Sequence, residues 1–242
     1  MFEGLSRIQQ TFFDPAEIAR VMPQLLLVGL PNTILLAIVA SIIGMVLGLF
    51  IAMGLRAERR WLRVPCRAYV DVLRGLPHIL TIYIVGQGLP LAGIALFGNN
   101  TYAYAALAIG LIESAYMAEI FRAGLQSVEK GQIEASRSLG MTAAQTMRYV
   151  IIPQGIRRVL PPLTGQFILV IKGTALVFLL GLTSSQREIF SIAQDAAINE
   201  ANLSPLTAAG MLFLLLTVPM THLVNAWERR MGVSTRRVQS ED

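Results

Sequence analysis

The chain has 242 residues, of which 54% are hydrophobic and only 14% are charged, and its mean hydropathy is +0.58. Its apolar residues form blocks of about 20, the length that crosses a bilayer, so an ordinary soluble domain is excluded. The net charge of +5 does not indicate nucleic-acid binding, because the basic residues cluster at the ends of the apolar blocks.

Residues 1–22 mix aromatic and aliphatic side chains with charged ones, which indicates an amphipathic segment at the membrane interface. A disordered tail is the alternative. Residues 23–230 then contain five apolar blocks, which predict an all-α integral membrane protein of about five transmembrane helices. The predicted spans are residues 23–55, 68–89, 102–122, 160–182 and 205–227.

The first two spans carry signals of close packing and of bending. Gly44 and Gly48 form a small-xxx-small repeat in the first span, which lets two helix backbones approach closely. Pro77 lies inside the second span and should kink or break it. Between these spans the sequence predicts a short basic loop on the cytosolic side. Its arginines are Arg56, Arg59, Arg60, Arg63 and Arg67.

The positions of the basic residues also predict the orientation. An odd number of spans puts the termini on opposite sides. The basic clusters place the N-terminus outside and the C-terminus, with the basic tail of residues 231–242, in the cytosol. Residues 184–203 are polar with apolar residues at helical spacing, which predicts an external helical loop.

A polar, helix-forming island at residues 127–153 separates the third and fourth spans. Gly140 stands where a helix would stop, because only glycine takes left-handed backbone angles at no steric cost. Thr142 and Gln145 have the spacing of a capping box that starts a second helix, and Pro153 limits how that helix continues. The island therefore predicts a helix, a glycine elbow and a second helix, which together would give a partner a rigid cytosolic surface to push on. An ordinary cytosolic loop is the alternative.

The spacing of this island resembles the coupling motif of permease subunits in bacterial ABC importers. The motif residues are Glu134, Ala135, Ser136, Gly140 and Pro153. Segments 69–77, 116–127 and 153–158 are similar to those of the permeases for polar amino acids, of the histidine, glutamine and glutamate type. The similarity covers residues from about 29 to about 230.

The resemblance implies that the island docks into a cleft of a separate ATPase subunit. Glu134 would supply charge, Ala135 and Ser136 would allow close docking, Gly140 would form the turn and Thr142 would start the second helix. This sequence has no Gly-x-x-x-x-Gly-Lys-(Ser/Thr) phosphate loop. ATP and Mg²⁺ would therefore be bound by the partner, with no catalytic residue or cofactor on this chain.

The resemblance also implies the other partners and the location. The chain would pair with a second permease subunit in a bacterial inner membrane and receive an amino acid from an external solute-binding protein. A homodimer and a heterodimer both stay open. We expect no metal site, because Cys66 is the sole cysteine and His78 and His222 are far apart in the sequence.

Charged and polar residues within the spans are the candidates for a substrate pathway, because such groups cost at least about 2.5 kcal/mol at membrane depth and mark function. They are Arg74, Glu113, Tyr116, Glu119, Lys172 and Thr174. Pairing Glu113 with Lys172, or Arg74 with Glu119, would offset that cost. A structural role for these pairs is the alternative to substrate binding.

The functional hypothesis for these residues starts from the charges of the substrate. A zwitterionic amino acid needs a cation for its carboxylate and an anionic or dipolar group for its amine. We expect a helix break at Gly173 to expose further backbone groups near the middle of the membrane. The alternative function is a stand-alone ion-coupled transporter or channel with Glu113 and Glu119 as carriers, and a membrane scaffold without transport is a third option.

Overall fold

The computed structural model describes residues 2–230, and every regular element in that range is helical. Within it, four helices are long and apolar enough to cross a membrane, and a fifth span forms if one bent helix pair is counted. The predicted all-α membrane fold of about five spans is therefore confirmed. The basic tail predicted for residues 231–242 lies outside the described residues.

The N-terminal segment is helical and is tied to the last span. Helix α1 covers Phe2–Phe12, and α2 covers Pro15–Gln24. Asp14 caps α2, because its carboxylate accepts a hydrogen bond from the backbone N–H of Ala16 at 2.9 Å. The backbone N–H of Asp14 donates to Ser204 Oγ at 2.9 Å. A location at the membrane interface stays a prediction for this segment.

The first span continues from α2 without a break. A π turn at Leu25–Gly29 leads into α3, Leu30–Leu55, which ends where the sequence predicted. Helix α3 packs along the third span. A Cβ at Gly44 would lie only 2.8 Å from the Cβ of Glu113, and a Cβ at Gly48 only 3.0 Å from that of Met117. The two glycines therefore permit the close approach that their spacing predicted.

The second span begins earlier than predicted. Helix α4 covers Arg60–Gly75, so the segment predicted as a basic loop is helical from Arg60 onward. The physical reason is the spacing of Arg60, Arg63 and Arg67, which recur at helical intervals on one face of an amphipathic helix. Only residues 56–59 connect α3 to α4.

Pro77 breaks the second span, as predicted. Leu76 is extended, with φ −82° and ψ 143°, because the ring of a following proline disfavours helical angles. The chain then continues as α5, His78–Tyr83, a π turn at Ile84–Gly88 and the short α6. The two halves of the span meet at an angle of 108°.

The third span and the polar island follow the predicted order. Helix α7 covers Thr101–Gln126 and α8 covers Lys130–Ser138. Helix α9, Ala143–Thr146, runs through a π turn into α10, Ile152–Gly173. The second helix of the island therefore does not end at Pro153. Proline is tolerated in the first turn of α10, because a π turn changes the hydrogen-bond register there and the missing N–H is not needed.

The fourth span is not broken at Gly173, contrary to expectation. Gly173 has right-handed helical angles, with φ −64°, and the chain only tightens into a 3₁₀ helix at Thr174–Leu180. It ends at Gly181, whose φ of +69° requires glycine. The helical path from Ala143 to Leu180 is therefore continuous.

The last two helices are α11, Ile189–Asn199, and α12, Ser204–Arg230. Residues 184–203 thus contain the predicted helix. Glu188 caps α11 from a fully buried position, accepting from Phe190 N at 2.6 Å and from Ser191 N at 2.6 Å. Burial raises the pKa of Glu188 to about 7, although these hydrogen bonds act to lower it.

Candidate functional site

A cavity of about 1310 Å³ opens between α4, α7, α10 and α12, at the end of the bundle from which α8 extends. Several polar side chains converge on it, the feature expected of a ligand site. They are Arg74, Tyr116, Glu119, Ser127, Gln154, Arg157, Arg158 and Gln166. Three of the six predicted pathway residues, Arg74, Tyr116 and Glu119, therefore share one cavity wall.

Arg74 is placed in this cavity by the break in the second span. It lies in the last turn of α4, and its guanidinium carbon is 5.3 Å from the centre of the Tyr116 ring. His78, just beyond the break, packs edge-on against the same ring, and its Nε2 lies 3.3 Å from the Tyr116 hydroxyl. Arg74 forms no ion pair with any residue in the described range. Its charge is thus held by an aromatic face and remains available to an anion.

Glu119 is neutralised by arginines other than the predicted one. Its Oε1 accepts from Arg67 Nη1 at 3.1 Å, and its Oε2 accepts from Arg122 Nε at 2.7 Å. The predicted pair of Arg74 with Glu119 is therefore not formed. The reason is that α4 begins before Arg67, which brings that side chain alongside α7.

Glu113 pairs with an amide and not with the predicted lysine. It is buried, with 4% exposure, and its Oε2 accepts from Gln166 Nε2 at 2.7 Å. Lys172 is exposed and does not line the cavity. Thr174 is buried, and its hydroxyl donates to the Ile171 carbonyl at 2.7 Å. The structure therefore joins Glu113 to the cavity through Gln166 and leaves Lys172 and Thr174 away from it.

Three residues of this region were missed in the sequence. Gln166 is uncharged, so a search for charges within spans passed over it, although a polar residue in an apolar run is itself a signal. Arg67 lies in the segment predicted as a basic loop, although its helical spacing from Arg60 and Arg63 indicates a helix. His78 has no polar neighbour in the sequence, and only the bend at Pro77 brings it to Tyr116.

The elbow of the polar island has the predicted geometry. Gly140 has φ +84°, and a Cβ there would meet no atom within 4 Å, so only the backbone angle demands glycine. The Gln145 N–H donates to Thr142 Oγ1 at 3.2 Å, and the Thr142 N–H donates to Gln145 Oε1 at 2.8 Å. This reciprocal pair is the predicted capping box.

The surface of the elbow differs from expectation at Ser136. Its side chain is buried, its hydroxyl donates to the Ile133 carbonyl at 2.7 Å, and Thr146 Oγ1 lies 3.0 Å away. Ser136 therefore ties α8 to the second helix and is not available for docking. Glu134 and Ala135 of the motif are exposed, and so is Leu139, with 85% of its surface free.

The elbow is joined firmly to the cavity. The Arg158 guanidinium donates to the Ser127 carbonyl, between α7 and α8. A Cβ at Gly124 would lie 2.1 Å from a methyl group of Val159, and one at Gly155 would lie 3.5 Å from the Gly124 carbonyl oxygen. The backbones of α7 and α10 therefore touch where the island meets the cavity.

Comparisons with known proteins agree with this architecture. The family model described as "Binding-protein-dependent transport system inner membrane component" matches residues 44–233. The probable glutamine ABC transporter permease protein GlnM of Bacillus subtilis is 32% identical over 206 residues, which covers 85% of this chain and 93% of that protein. The arginine transport system permease protein ArtQ of Bacillus subtilis is 31% identical over 218 residues, covering 89% and 97%.

Solved structures show the same fold. The crystal structure of an amino acid ABC transporter with histidines matches with a TM-score of 0.81 and 31% identity, over 90% of this chain and 98% of that one. An inward-facing structure of the MetNI methionine ABC transporter matches with a TM-score of 0.68 and 20% identity, over 87% and 97%. The latter likeness concerns the fold alone.

Proposed function

Because the chain belongs to the family of binding-protein-dependent transport system inner membrane components, we propose that it moves a polar amino acid through the cavity around Arg74. It is a permease subunit of an ABC importer, and ATP hydrolysis belongs to a separate chain. This membership sets aside the stand-alone ion-coupled transporter, the channel and the scaffold without transport.

The proposed substrate class rests on one observation, the guanidinium of Arg74 inside the cavity, which has no ion-pair partner among residues 2–230. An arginine held against an aromatic ring, without a carboxylate partner, is a suitable anchor for the carboxylate of an amino acid. Glu113 lies three residues before Tyr116 on α7, which places it on the same side of that helix. We propose that the Glu113–Gln166 pair binds the ammonium group of the substrate.

The elbow around Gly140 is the proposed contact with the ATPase. Leu139 would provide the apolar anchor, and Glu134 and Ala135 would lie at its edge, because these three side chains are exposed on α8 and its turn. ATP and Mg²⁺ would be bound by that partner. No cofactor is proposed on this chain.

A second permease subunit is proposed on the exposed face of α10. Lys172 is exposed there within the span, and a lysine facing lipid costs about 2.5 kcal/mol or more. A Cβ at Gly165 or Gly173 would meet nothing within 4 Å, which leaves room for another helix to approach. The partner is either a second copy or a related permease.

The remaining proposals concern location. The chain would lie in a bacterial inner membrane with its N-terminus outside and its C-terminus in the cytoplasm. A solute-binding protein would dock on the outer face, around residues 92–100 and 184–203. A reporter enzyme that is active only in the cytoplasm should therefore be active when fused to the C-terminus, and one that is active only outside the membrane should be inactive there.

Uptake by the reconstituted complex tests the proposed substrate contacts. Arg74→Gln should weaken recognition of a labelled amino acid by about 10- to 100-fold, the value of a lost hydrogen bond to a charged group. An amine analogue without the carboxylate should compete equally against the wild type and Arg74→Gln. Glu113→Gln should weaken recognition of the ammonium group instead.

Arg7 provides a matched control for the loss of charge at Arg74. Arg7→Gln also removes one positive charge, from an exposed position on α1, and should leave uptake unchanged. Unchanged affinity and specificity in both Arg74→Gln and Glu113→Gln would remove these residues from the substrate pathway.

A further inference from the structure

A second, smaller pocket of about 270 Å³ lies between α3, α4 and α7, next to the transport cavity but separate from it. It is lined by Leu55, Arg63, Val64, Arg67, Arg122 and Gln126. Arg67 and Arg122 are the two residues that hold Glu119. Glu119 therefore stands between the two spaces, with its carboxylate shared by the arginines of the smaller pocket.

The charge of this pocket is positive after its internal pairs are counted. Three arginines, Arg63, Arg67 and Arg122, line the pocket, and among the described residues the only carboxylate paired with any of them is that of Glu119, which Arg67 and Arg122 share. The Arg63 side chain is exposed, and its guanidinium forms no hydrogen bond or ion pair with any residue in the described range. Arginine forks match the oxygens of a phosphate group in geometry and charge. The polar part of the pocket is thus suited to a phosphate.

The apolar rim of the pocket indicates where that phosphate comes from. Val64, which lines the pocket, is 60% exposed, and the buried Leu55 forms another part of the lining. Trp61 lies outside the lining, but it is 65% exposed in the same turn of α4 as Arg63. Tryptophan beside arginine on an amphipathic helix is typical of the level of lipid headgroups. An acidic protein surface would not need exposed apolar side chains around the arginines.

The geometry of the pocket is fixed by close packing. A Cβ at Gly54 would lie only 2.3 Å from Cys66 Sγ, so the end of α3 lies directly against α4. Arg122 is held in turn by Gln126, whose Oε1 accepts from Arg122 Nη1 at 2.7 Å. The arginines therefore project from two packed helices and not from a loop.

We propose that this pocket binds the phosphate of an anionic phospholipid, taken from the leaflet on the side of the coupling elbow. Arg63 makes the contact without losing any internal partner, and Arg67 and Arg122 turn part of their charge from Glu119 toward the phosphate. The lipid thereby weakens the ion pairs of Arg67 and Arg122 with Glu119, a residue that lines the transport cavity. Binding of an anionic lipid would therefore increase the negative charge that Glu119 presents to the cavity.

Lipid retention by the intact importer tests the proposal independently of transport. The complex is placed in nanodiscs of phosphatidylcholine with one tenth phosphatidylglycerol, extracted, and weighed by native mass spectrometry. We expect phosphatidylglycerol to be retained above its share of the bilayer. Arg63→Gln should lower its affinity by about 10- to 100-fold, the effect of losing a hydrogen bond between charged groups.

The matched control is Arg60→Gln, which removes the same charge one turn away on α4 and outside the pocket. It should lower retention by no more than about fivefold, the general effect of one basic residue near the surface. Equal losses in Arg60→Gln and Arg63→Gln would overturn the proposal, because they would show only a general attraction to basic charge. Enrichment no greater than the bilayer composition would also overturn it.

A third arm separates the lipid from free phosphate. The complex in pure phosphatidylcholine nanodiscs is titrated with inorganic phosphate, and its thermal melting is followed. Stabilisation by phosphate equal to that by phosphatidylglycerol, and lost in Arg63→Gln, would identify a soluble anion as the ligand and overturn the lipid assignment. We expect phosphatidylglycerol alone to stabilise the complex.

Discussion

Replacing Gly140 tests whether the coupling elbow acts through its shape. The φ of +84° costs an L-residue about 1–2 kcal/mol, while the added Cβ of Gly140→Ala would meet nothing within 4 Å. The whole effect therefore comes from the backbone angle. It lowers the ratio of chains with the native elbow to chains without it by about 5- to 30-fold. Gly140→Val should cost more, because a β-branched residue is least tolerated at positive φ. Gly140→Asn should cost least, because asparagine visits left-handed angles.

The assay is ATP hydrolysis and uptake by the reconstituted importer, with membrane insertion measured in parallel. Coupled hydrolysis and uptake should fall in the order Asn, Ala, Val, while insertion is retained. Gly131→Ala is the control. Gly131 lies in α8, and a Cβ there also meets nothing within 4 Å. That change should stabilise the helix by about 0.5–1 kcal/mol. Normal uptake by Gly140→Val would refute the role given to the elbow.

Three further predictions follow from contacts elsewhere in the fold. Gly44→Ala should lower stability by about 1–3 kcal/mol, because its Cβ would lie 2.8 Å from that of Glu113; an unchanged melting temperature would contradict the packing of α3 on α7. Ser136→Ala should cost about 1–3 kcal/mol by leaving the buried Thr146 hydroxyl without its partner, and should speed proteolysis of the elbow. Burial raises the pKa of Glu188 from 4.5 to about 7, so between these pH values the folded chain keeps a proton that the unfolded chain has released. The free energy of unfolding is therefore highest below pH 4.5 and falls as the pH rises through 7, by up to about 3 kcal/mol. Melting between pH 4 and 8 should show this fall in the wild type and lose it in Glu188→Gln.

Local signals in the sequence predicted local structure well. The glycine stop at Gly140, the capping box at Thr142 and the break at Pro77 each depend on the backbone chemistry of one or two residues, so the sequence alone suffices. The first span likewise ended at its predicted residue, because a run of apolar residues gives way to arginine there.

Side-chain partners could not be predicted in the same way. The partners of Glu113 and Glu119 depend on how α4, α7 and α10 rotate and shift against one another, which is determined by packing across the whole bundle. Charge alone suggested Lys172 and Arg74, whereas the structure provides Gln166 for one carboxylate and Arg67 with Arg122 for the other. The start of α4 at Arg60 is indicated by the helical spacing of the arginines, whereas their number alone indicates a basic loop.

The unbroken helical path from Ala143 to Leu180 makes the Gly124–Gly155 contact a fulcrum. Gln166 lies eleven residues beyond Gly155, an arm of about 16 Å at 1.5 Å per residue. A tilt of about 5° imposed at the elbow would therefore swing Gln166 by about 1.4 Å. That distance is enough to part Gln166 from Glu113, whose atoms are 2.7 Å apart at rest. A small displacement of the elbow would thus separate Gln166 from Glu113 inside the membrane, provided that α10 stays straight at Pro161 and Pro162, which lie between Gly155 and Gln166.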